Sequence, residues 1–140
     1  MTADIGKALR TKLLSYAGVS ALVGQRMYPD DLLQNATLPA IVYSKISTRP
    51  EHSLSDVTRL AHSRFQFDCY AATRESANDV AHAIRRSGIC AYQGTTSSIY
   101  FCGTELDSGD SYGSEPPTDG NQVHRYITTF DLLVHYQEAA

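Results

Sequence analysis

From Tyr126 to Tyr136 the chain alternates without a break. Tyr126, Thr128, Phe130, Leu132, Val134 and Tyr136 fall on one side of an extended backbone, and Ile127, Thr129, Asp131, Leu133 and His135 on the other. A helix returns its side chains every 3.6 residues or so and cannot present that order on one face, so the period predicts a long strand over Val123–Tyr136. A second stretch obeys the same rule. In Ser63–Ala71, Phe65, Phe67, Cys69 and Ala71 share one face, and Arg64, Gln66, Asp68 and Tyr70 share the other, which meets solvent or a partner.

Two more strands and two helices complete the pattern. After Pro39 comes Ala-Ile-Val-Tyr-Ser-Lys-Ile-Ser, rich in branched and aromatic residues, and Ser98–Glu105 reads as a further strand. Ile5, Leu9 and Leu13, with Ala8 and Tyr16 beside them, lay one apolar stripe along a helix that Gly18 is expected to stop. Ser20 is placed as the cap of a short helical turn over Ala21–Val23, ended by a left-handed Gly24. Thr73 precedes a second helical pattern in which Ala77, Val80, Ala81 and Ile84 share a face, Arg85 and Arg86 suit the C-terminal dipole, and Gly88 ends the run. The order is helix, strand, strand, helix, strand, strand. Two short-linked strand pairs predict an α+β two-layer sandwich: a mainly antiparallel four-stranded sheet with two helices on one face. Residues 30–38 read as an irregular surface connection, 47–58 (STRPEHSLSDVT) as a long polar projecting arm, and 107–122 as a mobile acidic loop full of turn residues.

At 140 residues and 42% hydrophobic content, residues 1–140 are expected to form a single domain with a core that needs neither disulfides nor metal. No apolar run approaches the roughly 20 residues a membrane-spanning helix requires, and Met1–Arg10 carries no secretory pattern, so the chain is expected in a cytoplasm, away from membranes. Cys69, Cys90 and Cys102 form no CxxC pair and read as buried thiols.

Charge is segregated. Residues 1–86 carry 11 Lys or Arg against 8 Asp or Glu, a balance of +3, whereas residues 87–140 carry 1 against 7, a balance of −6. Between Arg86 and Arg125 no basic residue occurs, yet Glu105, Asp107, Asp110, Glu115 and Asp119 all fall there. That segment is unsuited to gripping a phosphate backbone, which is held by cations.

Motifs that carry chemistry are missing. His52, His62, His82, His124 and His135 show neither HExxH nor C2H2 spacing, and the Asp107–Glu115 run lacks the spacing of a calcium loop, so no metal site is expected. No GxSxG elbow presents a nucleophile and no glycine-rich turn opens a helix to cradle phosphate, so neither catalytic residues nor a cofactor are expected. Phe65 and Phe67 lack the glycine- and Lys/Arg-bearing signature of an RNA-stacking sheet and read as core. A chain with no visible active site, two long polar segments and a charge-segregated surface fits assembly.

Several stretches together resemble one known family. Ala8–Leu14, then GVSALVGQRMYP (Gly18–Pro29), then LPAIVYSKIS (Leu38–Ser47) are similar to the start of the tail-completion proteins of long-tailed phages. FQFDCYAATRESANDVAHAIRRS (Phe65–Ser87) resembles that family's second strand and following helix, and HRYITTFDLLVHY its closing strand. The resemblance implies a non-enzymatic virion protein at the head–tail junction that closes the head-proximal end of the tail tube. Its implied partners are further copies of itself in a ring, typically hexameric, the tail tube protein and the head–tail connector, with DNA passing through unrecognised. On this view Arg49, Glu51 and His52 on the polar arm, and Arg64, Gln66, Asp68 and Tyr70 on the polar strand face, are candidate subunit or partner contacts. Asp107, Asp110, Glu115 and Asp119 are candidates to line the channel and repel DNA phosphates. Two alternatives remain open: a neck adaptor bound to the connector, and a small ligand-binding or hydrolytic α+β domain with its site on the polar strand face.

Overall fold

A computed structural model describes residues 5–32, 36–52, 57–89, 92–96, 99–117 and 124–137, with side chains at all of these except 49–52, 57–60, 104–111 and 137. Among the described residues the chain runs α1 (Ile5–Leu14), α2 (Ala17–Val23), β1 (Met27–Pro29), β2 (Ala40–His52), β3 (Val57–Ala71), α3 (Arg74–Arg86), β4 (Gln93–Thr96), β5 (Ile99–Glu115) and β6 (Arg125–Gln137). The strands form one mixed sheet in the order β1-β2-β3-β6-β5-β4. Only β1, beside β2, pairs in parallel, and the other ladders are antiparallel.

The α+β class stands, and the four-stranded sheet with two helices is corrected to six strands and three helices among the described residues. The additions are short or continuous with expected elements. β1 has three residues and β4 four, too few for a period to show. The extra helix is the short turn expected over Ala21–Val23, which begins earlier, at Ala17, as α2. α1 stops at Leu14, and Gly18, expected as a stop, lies inside α2, where a Cβ would stand 2.5 Å from the Tyr16 ring folded over the helix start. Ser20 is likewise no cap: its carbonyl accepts the Gly24 N–H at 2.8 Å, and Gly24 closes the helix at φ 60°. Thr73 caps α3 as expected, its hydroxyl accepting the Ser76 N–H at 3.1 Å, and Gly88 follows the helix at φ 81°.

The core lies between the three helices and one face of the sheet. Leu9, Leu13, Val19, Val23, Val80 and Ile84 from the helices meet Phe65, Phe67, Phe101, Phe130, Leu132 and Val134 from β3, β5 and β6, all essentially without exposure. These are the faces the alternation selects, and the register confirms it: Phe65 stands opposite Leu132, Phe67 opposite Phe130 and Ser63 opposite Val134. Ser63, buried among them, exchanges hydrogen bonds of 2.9 Å with the hydroxyls of Thr48 and Tyr136.

The opposite face is not wholly bare. Leu32 is buried there against Ala40 and Val42, with Ala36, Leu38 and Tyr70 packed around them. Leu32, Ala36 and Leu38 therefore cover one corner of the sheet's polar side.

Both long polar segments are largely strand. Arg49 and Pro50 pair with His62 and Ala61, and His52 pairs with Val57, so the expected arm is a two-stranded ribbon prolonging β2 and β3. β5 continues to Glu115 against β6, with an irregularity between Glu105 and Asp110, where a loop from residue 107 had been expected. Backbone pairing in such a ribbon needs no buried face, so hydrophobic periodicity cannot report it. No helix among the described residues is long and apolar enough to cross a membrane.

Candidate functional site

The polar side of β3 and β6 holds the strand-face candidates in two separate sets of side-chain pairs. Arg64 donates to Asp131 Oδ2 at 2.9 Å from the adjoining strand. Asp68 Oδ1 accepts from Gln66 Nε2 at 3.1 Å and from the Thr129 hydroxyl at 2.8 Å. Arg64–Asp131 and Asp68–Thr129 cross from β3 to β6 and Gln66–Asp68 runs along β3, so these five residues pair among themselves on the polar surface.

Tyr70 ends that row. Its ring lies against the Leu32 corner, and the Arg125 guanidinium sits 5.3 Å from its centroid. Burial, together with the negative charges of Glu115, Asp68 and Asp31, pushes the phenol above its ordinary value, against the opposing pull of Arg125. Neutral Tyr70 is thus favoured in the folded chain. Its contribution to stability is complete below the unfolded value near 10 and is lost as pH rises through the higher folded value. In an alkaline absorbance titration Tyr70 is expected to ionise in a late step above the ordinary tyrosine value, and Tyr70→Phe to remove that step. An unchanged late step in the variant contradicts the assignment.

Arg125 and Arg74 hold the far end of β5. Arg125, only 6% exposed, donates to Glu115 Oε2 at 3.2 Å. Arg74, the first residue of α3, donates to the carbonyls of Ile127 at 2.6 Å and Gly113 at 2.7 Å, and its guanidinium lies 4.3 Å from the Tyr112 ring centroid. A cation at a helix N-terminus opposes the helix dipole, so Arg74 is placed by these ties and not by helix preference. Its position at the helix start gave no sign of this role in the sequence.

The acidic candidates are not gathered on one loop. Asp107 and Asp110 belong to the backbone of β5, Glu115 ends that strand and is engaged by Arg125, and Asp119 lies outside the described residues. Arg49, Glu51 and His52 sit at the far end of β2, in the ribbon; their side chains are outside those described. The structure thus sets the strand-face candidates on one face of β3, with Gln66 bonded to Asp68 and Arg64 to Asp131, and places the ribbon candidates on β2.

Among the described residues no group of three His, Cys, Asp or Glu side chains is placed to hold a metal. A cleft of about 260 Å³ opens where β1 ends, lined among others by Lys7, Asp30, Tyr43 and Lys45. Cys69 is buried and Cys102 half-buried; Cys90 is outside the described residues.

The family model described as "Tail completion protein gp17" matches residues 7–87. The chain belongs to that family, and with it to the structural proteins of phage-type virions. Among solved structures, a chain from the "Virion of native gene transfer agent (GTA) particle" shares the fold, with a TM-score of 0.64 and 14% identity over 96% of this chain and 93% of that one. No curated protein matches the sequence. The family match covers α1 to α3, and the fold match extends the likeness across β4, β5 and β6.

Proposed function

We propose that this chain closes the head-proximal end of a phage tail tube and joins the tail to the head connector, working as a hexameric ring. Family membership over residues 7–87 carries this reading. The resemblance to a chain of a gene transfer agent virion, which spans nearly the whole molecule, supports it through the fold. The role is one of contact and closure, not of catalysis: the polar face that might have held a substrate is occupied by the sheet's own pairs, Arg64 with Asp131 and Asp68 with Gln66 and Thr129. The partners are further copies of the chain, the tail tube protein and the connector. Arg49, Glu51 and His52, whose backbone belongs to the end of β2, are the residues proposed to meet a neighbour or the tube. DNA passes through the ring without specific recognition, since residues 87–140 offer it a balance of −6.

The test is to delete the reading frame from the phage or prophage that encodes it and to image the lysate by electron microscopy. Filled heads beside unjoined, overlong tails are expected. Unjoined tails of normal length would move the chain to the connector as an adaptor. Normal joined particles would overturn the assembly reading and direct attention to the polar sheet face.

A further inference from the structure

The sheet ends in two open backbone edges that differ in charge and run in opposite senses. On one side β1 covers β2 only at Ile41–Tyr43, so the outer edge of β2 from Ser44 to His52 pairs with no strand among the described residues. On the other side β4 covers β5 only at Ile99–Cys102, and the Gly103 N–H is taken by the Tyr92 carbonyl. From Thr104 to Tyr112 the outer edge of β5 again pairs with no strand among the described residues, and beyond it Arg74 takes the Gly113 carbonyl. Long uncovered edges recruit further strands, and proteins ordinarily blunt them. Neither edge here is short, and their charges are opposite: the β2 stretch carries Lys45 and Arg49 against Glu51, while the β5 stretch carries Glu105, Asp107 and Asp110 with no basic residue.

We propose that the outer edge of β2 (Ser44–His52) of one copy pairs antiparallel with the outer edge of β5 (Thr104–Tyr112) of the next, making a sheet that continues from subunit to subunit. The proposal rests on the ring reading above and names its seam. Three geometric consequences agree with it. First, two unlike edges make a heterologous contact, which closes into a ring when its rotation permits. Second, rotation about a ring axis preserves each strand's sense along that axis. Three antiparallel ladders separate β2 from β5, so they run oppositely and meet as an antiparallel pair.

Third, the stagger is that of a barrel. The open β2 stretch begins level with Asp131, through Ser44 opposite Gln66 and Gln66 opposite Asp131, and extends past Tyr136. The open β5 stretch spans the level of Leu133, opposite Thr104, to that of Thr128, opposite Tyr112. The two centres are offset by about five residues, roughly 16 Å along the strands. Across the four strands β2, β3, β6 and β5, roughly 19 Å wide, that offset corresponds to a tilt of about 40°, within the range that closed barrels adopt. β4 and β1 then bracket the two ends of the seam. The cleft lined by Lys7 and Lys45, where β1 ends and the β2 edge opens, adds one further cation, Lys7, next to the arriving acidic strand.

The test uses two full-length variants. Lys45→Glu/Arg49→Glu makes both edges acidic, and Asp107→Lys/Asp110→Lys makes both basic. Each alone is expected to lose self-association by about tenfold or more in native mass spectrometry, because like charges then face each other across every seam. An equimolar mixture is expected to recover the wild-type oligomer with the two variants in equal numbers, since each acidic edge again meets a basic one. Circular dichroism of each variant checks that it folds, and recovery on mixing is a result no folding defect can give. Either variant assembling alone as the wild type does, a mixture that stays dissociated, or a wild-type chain that remains monomeric throughout would overturn the seam. The tail-joining reading fails separately, by joined particles in the deletion lysate, whatever these mixtures do.

Discussion

Phe67→Ala is expected to lower the thermal unfolding midpoint by about 10–20 °C. Phe67 has no exposure, stands directly opposite Phe130 on β6 and Tyr43 on β2, and lies with its ring centroid 6.4 Å from that of Phe130. Removing a buried aromatic ring costs about 3–5 kcal/mol, the lost transfer energy plus the cavity left behind. For a domain of this size each kcal/mol moves the midpoint by about 3–5 °C, and total stability is on the order of 5–15 kcal/mol. Arg64→Ala, three residues away on the other face, removes a half-exposed pair with Asp131 worth less than about 1 kcal/mol after solvent screening. Thermal melts of the two variants, followed by circular dichroism, compare the two faces of one strand directly. Equal shifts would mean that the helices do not cover the face the alternation assigns to them.

That comparison touches what was legible in the sequence. The alternation in Ser63–Ala71 and Tyr126–Tyr136 selects the buried faces of β3 and β6, because a strand with one wet face writes its environment every second residue. Thr73 and Gly88 mark the ends of α3 because capping and left-handed geometry are local chemistry. The ribbon at Ser47–His52 and the far half of β5 were not legible: backbone pairing holds them, and no apolar period is needed for that. β1 was hidden for a related reason. Its register with Ile41–Tyr43 is set by tertiary contact, and the Arg10 guanidinium donating to the Met27 and Gln25 carbonyls at 2.9 and 3.0 Å is seen only when α1 has docked. The charge imbalance between residues 1–86 and 87–140 was legible as a number and not as a place. The topology turns it into two unlike edges by sending β2 and β5 to opposite sides of the same sheet.

Gly103→Ala is expected to cost about 3 kcal/mol or more, although alanine is better suited to a strand interior than glycine by its own preference. The reason is a close approach of backbone. A Cβ on Gly103 would overlap the carbonyl oxygen of Ile89, with the Ile89 carbonyl carbon at 3.2 Å and Leu132 Cδ1 at 3.6 Å. Neither neighbour can yield freely, since Ile89 and Leu132 are both buried in the core and the Gly103 N–H is bound to the Tyr92 carbonyl at 3.1 Å. Ile89 has to move away from β5, and Tyr92, which leads directly into β4, is tied to the same glycine. Gly113, on the same strand, supplies the control: a Cβ there meets only Ile127 Cβ at 3.9 Å, an ordinary contact, so Gly113→Ala is expected to change stability by less than about 1 kcal/mol. Chemical denaturation of the two variants measures the difference. If Gly103→Ala proves as mild as Gly113→Ala, the Ile89 turn does not rest on β5, and the position of β4 at the sheet's end loses its support. If the large difference is found, one glycine fixes where β4 stops covering β5, and with it where the open acidic edge begins.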